Sequence, residues 1–162
     1  MDSERSHKLA YIAGFFDGEG YIGIQKTKYK HGDGQYRYFL EINLCQIDPR
    51  PLLRIIEEFG GRLYMVKPHP PSRPLYRWRA AAVKAADFLV EISPWLLNKR
   101  EQAEIALSFQ KTMLRSAGRK SVPTDVHEKR KELALAIKEE RRIVIANSVD
   151  AFNNKNTGAY LQ

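Results

Sequence analysis

Two carboxylates, Asp17 and Glu19, alternate with glycines in the order Asp17-Gly18-Glu19-Gly20 at the close of a hydrophobic run. Leu9, Ala10, Tyr11, Ile12, Ala13, Phe15 and Phe16 make that run almost unbroken, a composition that predicts a helix buried nearly all round. Gly18 and Gly20 end the helix and let the chain turn. The carboxylates then meet the negative pole of the helix dipole, an unfavourable position unless a cation is near. A divalent metal is the natural compensation, so the first chemistry this stretch suggests is carboxylate ligation of a metal. Ala10, Ala13, Gly14 and Asp17 also fall at i, i+3, i+4 and i+7, which predicts a small-residue face able to admit a partner helix closely. The same stretch contains a G-x-G-x-x-G match, from Gly18 to Gly23. A dinucleotide loop needs a strand before that pattern and a helix after it, and here the order is reversed, which excludes that reading.

The elements around this site follow from periodicity. Ser6 is placed to cap the first helix. Residues 21–30 alternate as a strand, with Ile22 and Ile24 on one face and Gly23, Gln25, Thr27 and Tyr29 on the other. A turn through Lys30, His31 and Gly32 leads to a second strand over 35–45, where Tyr38, Leu40, Ile42 and Leu44 face inward opposite Arg37, Phe39, Glu41 and Asn43. Residues 48–59 form an amphipathic helix capped by Asp48, with Leu52, Leu53, Ile55, Ile56 and Phe59 as its buried stripe. Strands at 62–67 and 75–82 flank a proline-rich loop. Tyr76, Trp78 and Ala80 point inward, which leaves Arg77 and Arg79 on the other face with Arg73 nearby. The remainder is helical: 83–92 with Val83, Ala86, Phe88, Leu89 and Ile92 at helical spacing, 99–115, a linker at 116–123, and a long, partly buried helix from Thr124 to about Ala146. Residues 1–146 read as one α+β domain, and 147–162 as a tail of little periodicity.

At 162 residues the chain can bury a core without staples, and its net charge of +8 favours an anionic partner. Lys28, Lys30, Arg37, Arg62, Arg77 and Arg79 are expected along one sheet surface or its rims. Lysine and arginine there neutralise phosphates regardless of sequence, and bidentate Arg, Asn and Gln side chains distinguish base edges. The single cysteine, Cys45, excludes an intramolecular disulfide and a multi-cysteine zinc cluster, and His7, His31, His69 and His127 lack ligand spacing. With neither a membrane-length apolar run nor a signal-peptide core at the start, an intracellular setting is expected, in a prokaryotic cytoplasm or nucleoid or inside an organelle.

Ile12-Ala13-Gly14-Phe15-Phe16-Asp17-Gly18-Glu19-Gly20 resembles the signature of the LAGLIDADG homing endonucleases, with Phe in place of Leu and Ile, Gly in place of Ala, and Glu in place of the second Asp. The resemblance implies a four-stranded antiparallel saddle backed by helices and laid in the DNA major groove. It implies Glu19 as the metal ligand, assisted by the Gly18 carbonyl, with Mg²⁺ as the expected ion. Three further matches extend it to about Ala106. Gln46 ends the second strand at the position that orients metal-bound water, Arg50 matches a basic position near the scissile phosphates, and Pro94-Trp95-Leu96-Leu97-Asn98-Lys99 places Lys99 at the catalytic lysine. The DNA contacts it implies are Gln25, Thr27, Lys28, Tyr29, Lys30, Arg37, Glu41, Asn43, Arg62, Arg73, Arg77 and Arg79.

The signature occurs once. One Glu19 cannot supply the paired acids that two scissile phosphates require, so a homodimer joined through Ala10, Ala13 and Gly14 is expected, with a nearly palindromic target. The resemblance then implies metal-dependent cleavage of both strands of double-stranded DNA across the minor groove, leaving short 3′ overhangs, by an enzyme of the intron-encoded kind. The alternatives are a maturase that binds RNA or a DNA-binding protein of the same fold that does not cleave, and, more distantly, a basic structural protein without a specific target.

Overall fold

A computed structural model of the chain describes residues 3–28, 36–67, 71, 73–114 and 122–156. Tyr29, Lys30, His31 and His69, and most of the linker expected at 116–123, lie outside the described residues. The element order is α1 (Ser3–Glu19), β1 (Gly20–Lys28), β2 (Tyr36–Gln46), α2 (Arg50–Phe59), β3 (Arg62–Val66), β4 (Leu75–Ala81), α3 (Val83–Ile92), a 3-10 turn (Ser93–Trp95), α4 (Arg100–Leu114) and α5 (Thr124–Asn156). No helix among the described residues is long and apolar enough to cross a membrane.

The four strands form one antiparallel sheet in the order β1-β2-β4-β3. Its inner face carries Ile22, Ile24, Tyr38, Leu40, Ile42, Leu44, Trp78 and Ala80, all buried as alternation predicts. The outer face takes the intervening residues, so Gln25 and Thr27 share it with Arg37, Glu41, Asn43, Arg77, Arg79 and Arg62. Lys28 does not. It lies an even number of residues from Ile22 and so has the inner-face parity, opposite Tyr36 at the end of the hairpin where residues 29–35 connect the two strands.

Against the inner face pack α1, α3 and α4, and α5 lies along β1, adding Ala134 and Ile137 to the core and setting His127 against Tyr38. Phe88 of α3 is the hub of an aromatic cluster, its ring centroid 5.1 Å from Phe16 and 4.9 Å from both Phe59 and Trp78. Trp78 is fully buried and its indole Nε1 donates to the Gly60 carbonyl at 2.9 Å, so the ring's one polar atom is satisfied inside the core.

Several elements depart from the periodicity reading. Ser6 lies inside α1, which begins earlier, at Ser3. α2 begins at Arg50, and Asp48 precedes it, accepting from the Arg50 backbone N–H at 3.0 Å. Leu53 and Val83 are exposed, whereas Ala85 and Phe109 are fully buried. α5 runs past Ala146 to Asn156, through most of the expected tail, because no glycine or proline interrupts 124–157.

The first helix is not buried all round. Leu9, Ile12, Ala13, Phe16 and Asp17 turn into the core, while Tyr11 is 63% exposed and Gly14 is open to solvent. The small-residue face is therefore split. Ala13 and Asp17 belong to the chain's own interior; Ala10 is half-buried and Gly14 exposed.

Candidate metal centre and nucleic-acid interface

The junction of α1 and β1 fixes the position of Glu19. Gly20 permits it: a Cβ there would lie 2.5 Å from the Phe16 carbonyl oxygen and from its ring, so no larger residue fits where the strand leaves the helix. Glu19 is left exposed at the last position of α1, and nothing lies within 4 Å of where a Gly18 side chain would stand.

Asp17, buried beneath this end, builds the rest of the site. One carboxylate oxygen accepts from the Leu97 N–H at 2.7 Å and the other from the Lys99 N–H at 3.0 Å, while the Lys99 ammonium donates to the Asp17 backbone carbonyl. A residue of α1 thus caps the turn that precedes α4, closing a contact across 82 residues of sequence. Burial holds the Lys99 pKa below the ordinary lysine value, and the charges of Asp17 and Glu19 oppose that shift without cancelling it. The charge of Glu19 therefore acts on Lys99. Asp17 as the tie between them was not legible from spacing, because its partners are backbone groups at the far side of the fold.

Gln46 closes β2 two residues beyond Leu44, the partner of Gly20, and is itself paired with Tyr76 of β4. It joins the same end of the sheet. Arg50 stands differently, with a side chain that is 84% exposed and bonded to Asp48, Nε donating to its two oxygens at 3.0 and 2.8 Å. That pairing holds the Asp48 carboxyl down to about 2.

The donor set suits a hard cation. Glu19 offers carboxylate oxygen beside the carbonyls that end a helix, and oxygen ligands of this kind fit Mg²⁺ or Ca²⁺. No group of three or more His, Cys, Asp or Glu converges among the described residues. A Mg²⁺ ion held by one or two carboxylates and substrate phosphates does not require one.

The outer sheet face leaves cations without anions. Arg62 stands directly across from Arg79, a like-charge cross-strand pair. Arg79 meets Glu41, yet its Nε is buried with no partner among the described residues. The Arg77 Nε donates to the Cys45 sulfur at 3.3 Å and has no carboxylate partner among the described residues. Arg73 is exposed in the loop before β4. Such a face is electrostatically incomplete and suited to a polyanion.

A sequence model of the LAGLIDADG endonuclease family matches residues 12–92, from the α1 signature to the end of α3. This chain belongs to that family. The LAGLIDADG fold recurs in solved structures. I-CvuI in complex with the I-CreI target is 20% identical, with a TM-score of 0.71 over 86% of this chain and 85% of that one. The archaeal intron-encoded endonuclease I-Vdi141I, complexed with DNA, is 19% identical, with a TM-score of 0.69 over 83% and 84%. I-LtrWI, bound to its target DNA, is 18% identical, with a TM-score of 0.62, and the match covers 82% of this chain but 45% of I-LtrWI. No curated protein matches the sequence.

Proposed function

We propose that this LAGLIDADG protein is a site-specific, divalent-metal-dependent DNA endonuclease that acts as a homodimer on a long pseudo-palindromic target. The observation that carries the reading is the single cluster formed by exposed Glu19 and Asp17-tethered Lys99 at one end of a cationic sheet face. Gln25, Thr27, Arg37, Glu41, Asn43, Arg62, Arg73, Arg77 and Arg79 are the contacts offered to DNA, arginines to phosphate or guanine and the amides to adenine. Tyr29 and Lys30 remain proposals from the sequence, and Lys28 can reach DNA only from the rim.

Glu19 and the Gly18 carbonyl would hold the cation, for which Mg²⁺ is our reading. When bound, a divalent cation lowers the pKa of water and stabilises charge at phosphate oxygens. The chain's own groups do the remaining work. Lys99 offsets the charge of the scissile phosphate, Gln46 orients the attacking water by hydrogen bonding, and Arg50 supplies a cation at flanking phosphates once it exchanges Asp48 for them.

Dimerisation is supported by the open strip of α1. Tyr11, Gly14 and half-buried Ala10 offer a partner helix close approach, whereas Ala13 is already enclosed by its own chain. The fact that one chain spans less than half of I-LtrWI also supports assembly from two copies.

The test is cleavage of a randomised palindromic duplex library by purified protein, with Mg²⁺ and with EDTA, beside Glu19→Gln. We expect selective double-strand breaks that require Mg²⁺ and fall at least about 100-fold in Glu19→Gln, with DNA binding retained. Selective retention of one duplex without cleavage would overturn the nuclease assignment and favour a binding role.

A further inference from the structure

The α5 helix presents a cation to the outer sheet face that none of the expected contacts includes. Tyr21, two residues beyond Glu19, has outer-face parity with Gly23 and Gln25. Its ring lies along the strand: a Cβ on Gly23 would come within 2.5 Å of the Tyr21 hydroxyl and 2.6–2.7 Å of its ring carbons. Glycine at 23 is thus the condition for the ring to lie flat on the sheet. The Gln25 amide approaches the hydroxyl at 3.5 Å, and the Arg141 guanidinium of α5 sits 4.7 Å from the ring centroid. Arg141 Nε donates to the Ile137 carbonyl at 3.2 Å, which fixes the fork from its own helix.

The charge of Arg141 is nevertheless unanswered. Its neighbour Arg142 pairs with Glu139 at 3.6 Å, and Arg141 has no carboxylate partner among the described residues. A half-buried guanidinium held by a ring and a carbonyl keeps its terminal nitrogens for an external acceptor. Its place beside Tyr21 sets that acceptor next to the end of the sheet that carries Glu19.

We infer that Arg141 is a DNA-phosphate ligand, carried by α5 and pre-positioned on the Tyr21 ring, at the cleavage end of the saddle. This rests on the DNA-binding reading above. The bland competitor is that Arg141 only packs α5 onto β1.

Salt dependence separates the two. Affinity of the full chain for a mixed-sequence duplex spanning the saddle is measured over a range of salt concentrations, with Ca²⁺ in place of Mg²⁺. Each phosphate contact contributes about 0.9 to the slope of log K against log salt. Arg141→Gln is expected to flatten the slope by about 0.9 per subunit, Arg141→Lys to keep it, and Tyr21→Leu to weaken binding with the slope kept. Arg141→Met, which retains the apolar stem over Tyr21, repeats the charge deletion if Arg141→Gln loses its fold by circular dichroism. An unchanged slope in a folded, uncharged variant, with melting temperature alone lowered, overturns the inference. Absence of salt-dependent binding in the unaltered protein would instead remove the DNA reading on which it stands.

Discussion

The two faces of the sheet are written in alternate residues of the same four strands, yet one is finished by the chain and the other is not. On the inner face Ile22, Leu40, Ile42, Leu44 and Trp78 have no exposed surface, and the indole nitrogen of Trp78 has its acceptor. On the outer face Arg62 opposes Arg79, and among the described residues Arg77 is bonded to a thiol and to no carboxylate. The α1 helix repeats the division at smaller scale, Phe16 and Asp17 sealed inward and Tyr11 and Gly14 left open. What a fold needs for stability it encloses; what remains uncompensated marks where another molecule completes it.

The largest expected effect comes from breaking the finished face. Trp78→Ala removes a buried ring from the Phe88 cluster and strands the Gly60 carbonyl, with an expected loss of about 3–5 kcal/mol in stability by denaturant titration. A loss under about 1 kcal/mol would mean that the inner face is not the source of stability. Asp17→Asn tests the joint between the faces. It retains one acceptor for the Leu97 and Lys99 N–H groups, so about 1–3 kcal/mol of stability is expected to go. The kcat for cleavage should fall further than KM rises, since Lys99 is held through this carboxylate. Equal changes in both would make Asp17 a residue of the core alone.

The inner face was legible in the sequence because burial on one side imposes a period of two, which Tyr38, Leu40, Ile42 and Leu44 obey without exception. The same rule assigns Lys28 to the inner parity, and grouping it with the outer cations by charge misplaces it. An apolar count for α1 measures how much surface seeks cover; it is silent on whether the same chain or a partner supplies it, and so Tyr11 reads as core. The length of α5 was readable only from the absence of breakers, since its last turns carry no apolar stripe. Glu19 and Lys99 were singled out by the family resemblance, and their roles stay proposals. Asp17's bonds and the Tyr21–Arg141 stack were not legible, because both join residues at least 80 positions apart through contacts with no sequence pattern.

Arg62→Glu sharpens the comparison on the unfinished side. Replacing one member of the Arg62–Arg79 pair by its opposite charge is expected to raise stability by about 0.2–1 kcal/mol. DNA affinity should fall at the same time and the salt slope should flatten. The opposite signs are the point: a stabilising change that costs binding shows the repulsion to be kept for a partner. A variant that gains stability and binds as well as before would make the Arg62–Arg79 repulsion incidental.

The smallest effect decides to which class Arg50 belongs. Its exposed guanidinium, with its backbone N–H, holds the Asp48 carboxyl at about 2, below its ordinary 3.8. Because the folded value is the lower one, the pairing contributes above the unfolded pKa and is lost as pH falls through about 2, a window well below neutrality. Carboxyl carbon chemical shifts should therefore show Asp48 titrating near 2. In Arg50→Ala the midpoint should rise, though not fully, because the backbone N–H at residue 50 still donates to it. A midpoint near 3.8 in the unaltered protein would place Arg50 with Arg62 and Arg77, free for phosphate. A midpoint near 2 means that Arg50 must leave an anion of its own chain before it serves DNA, so its charge contributes less to binding than either of theirs.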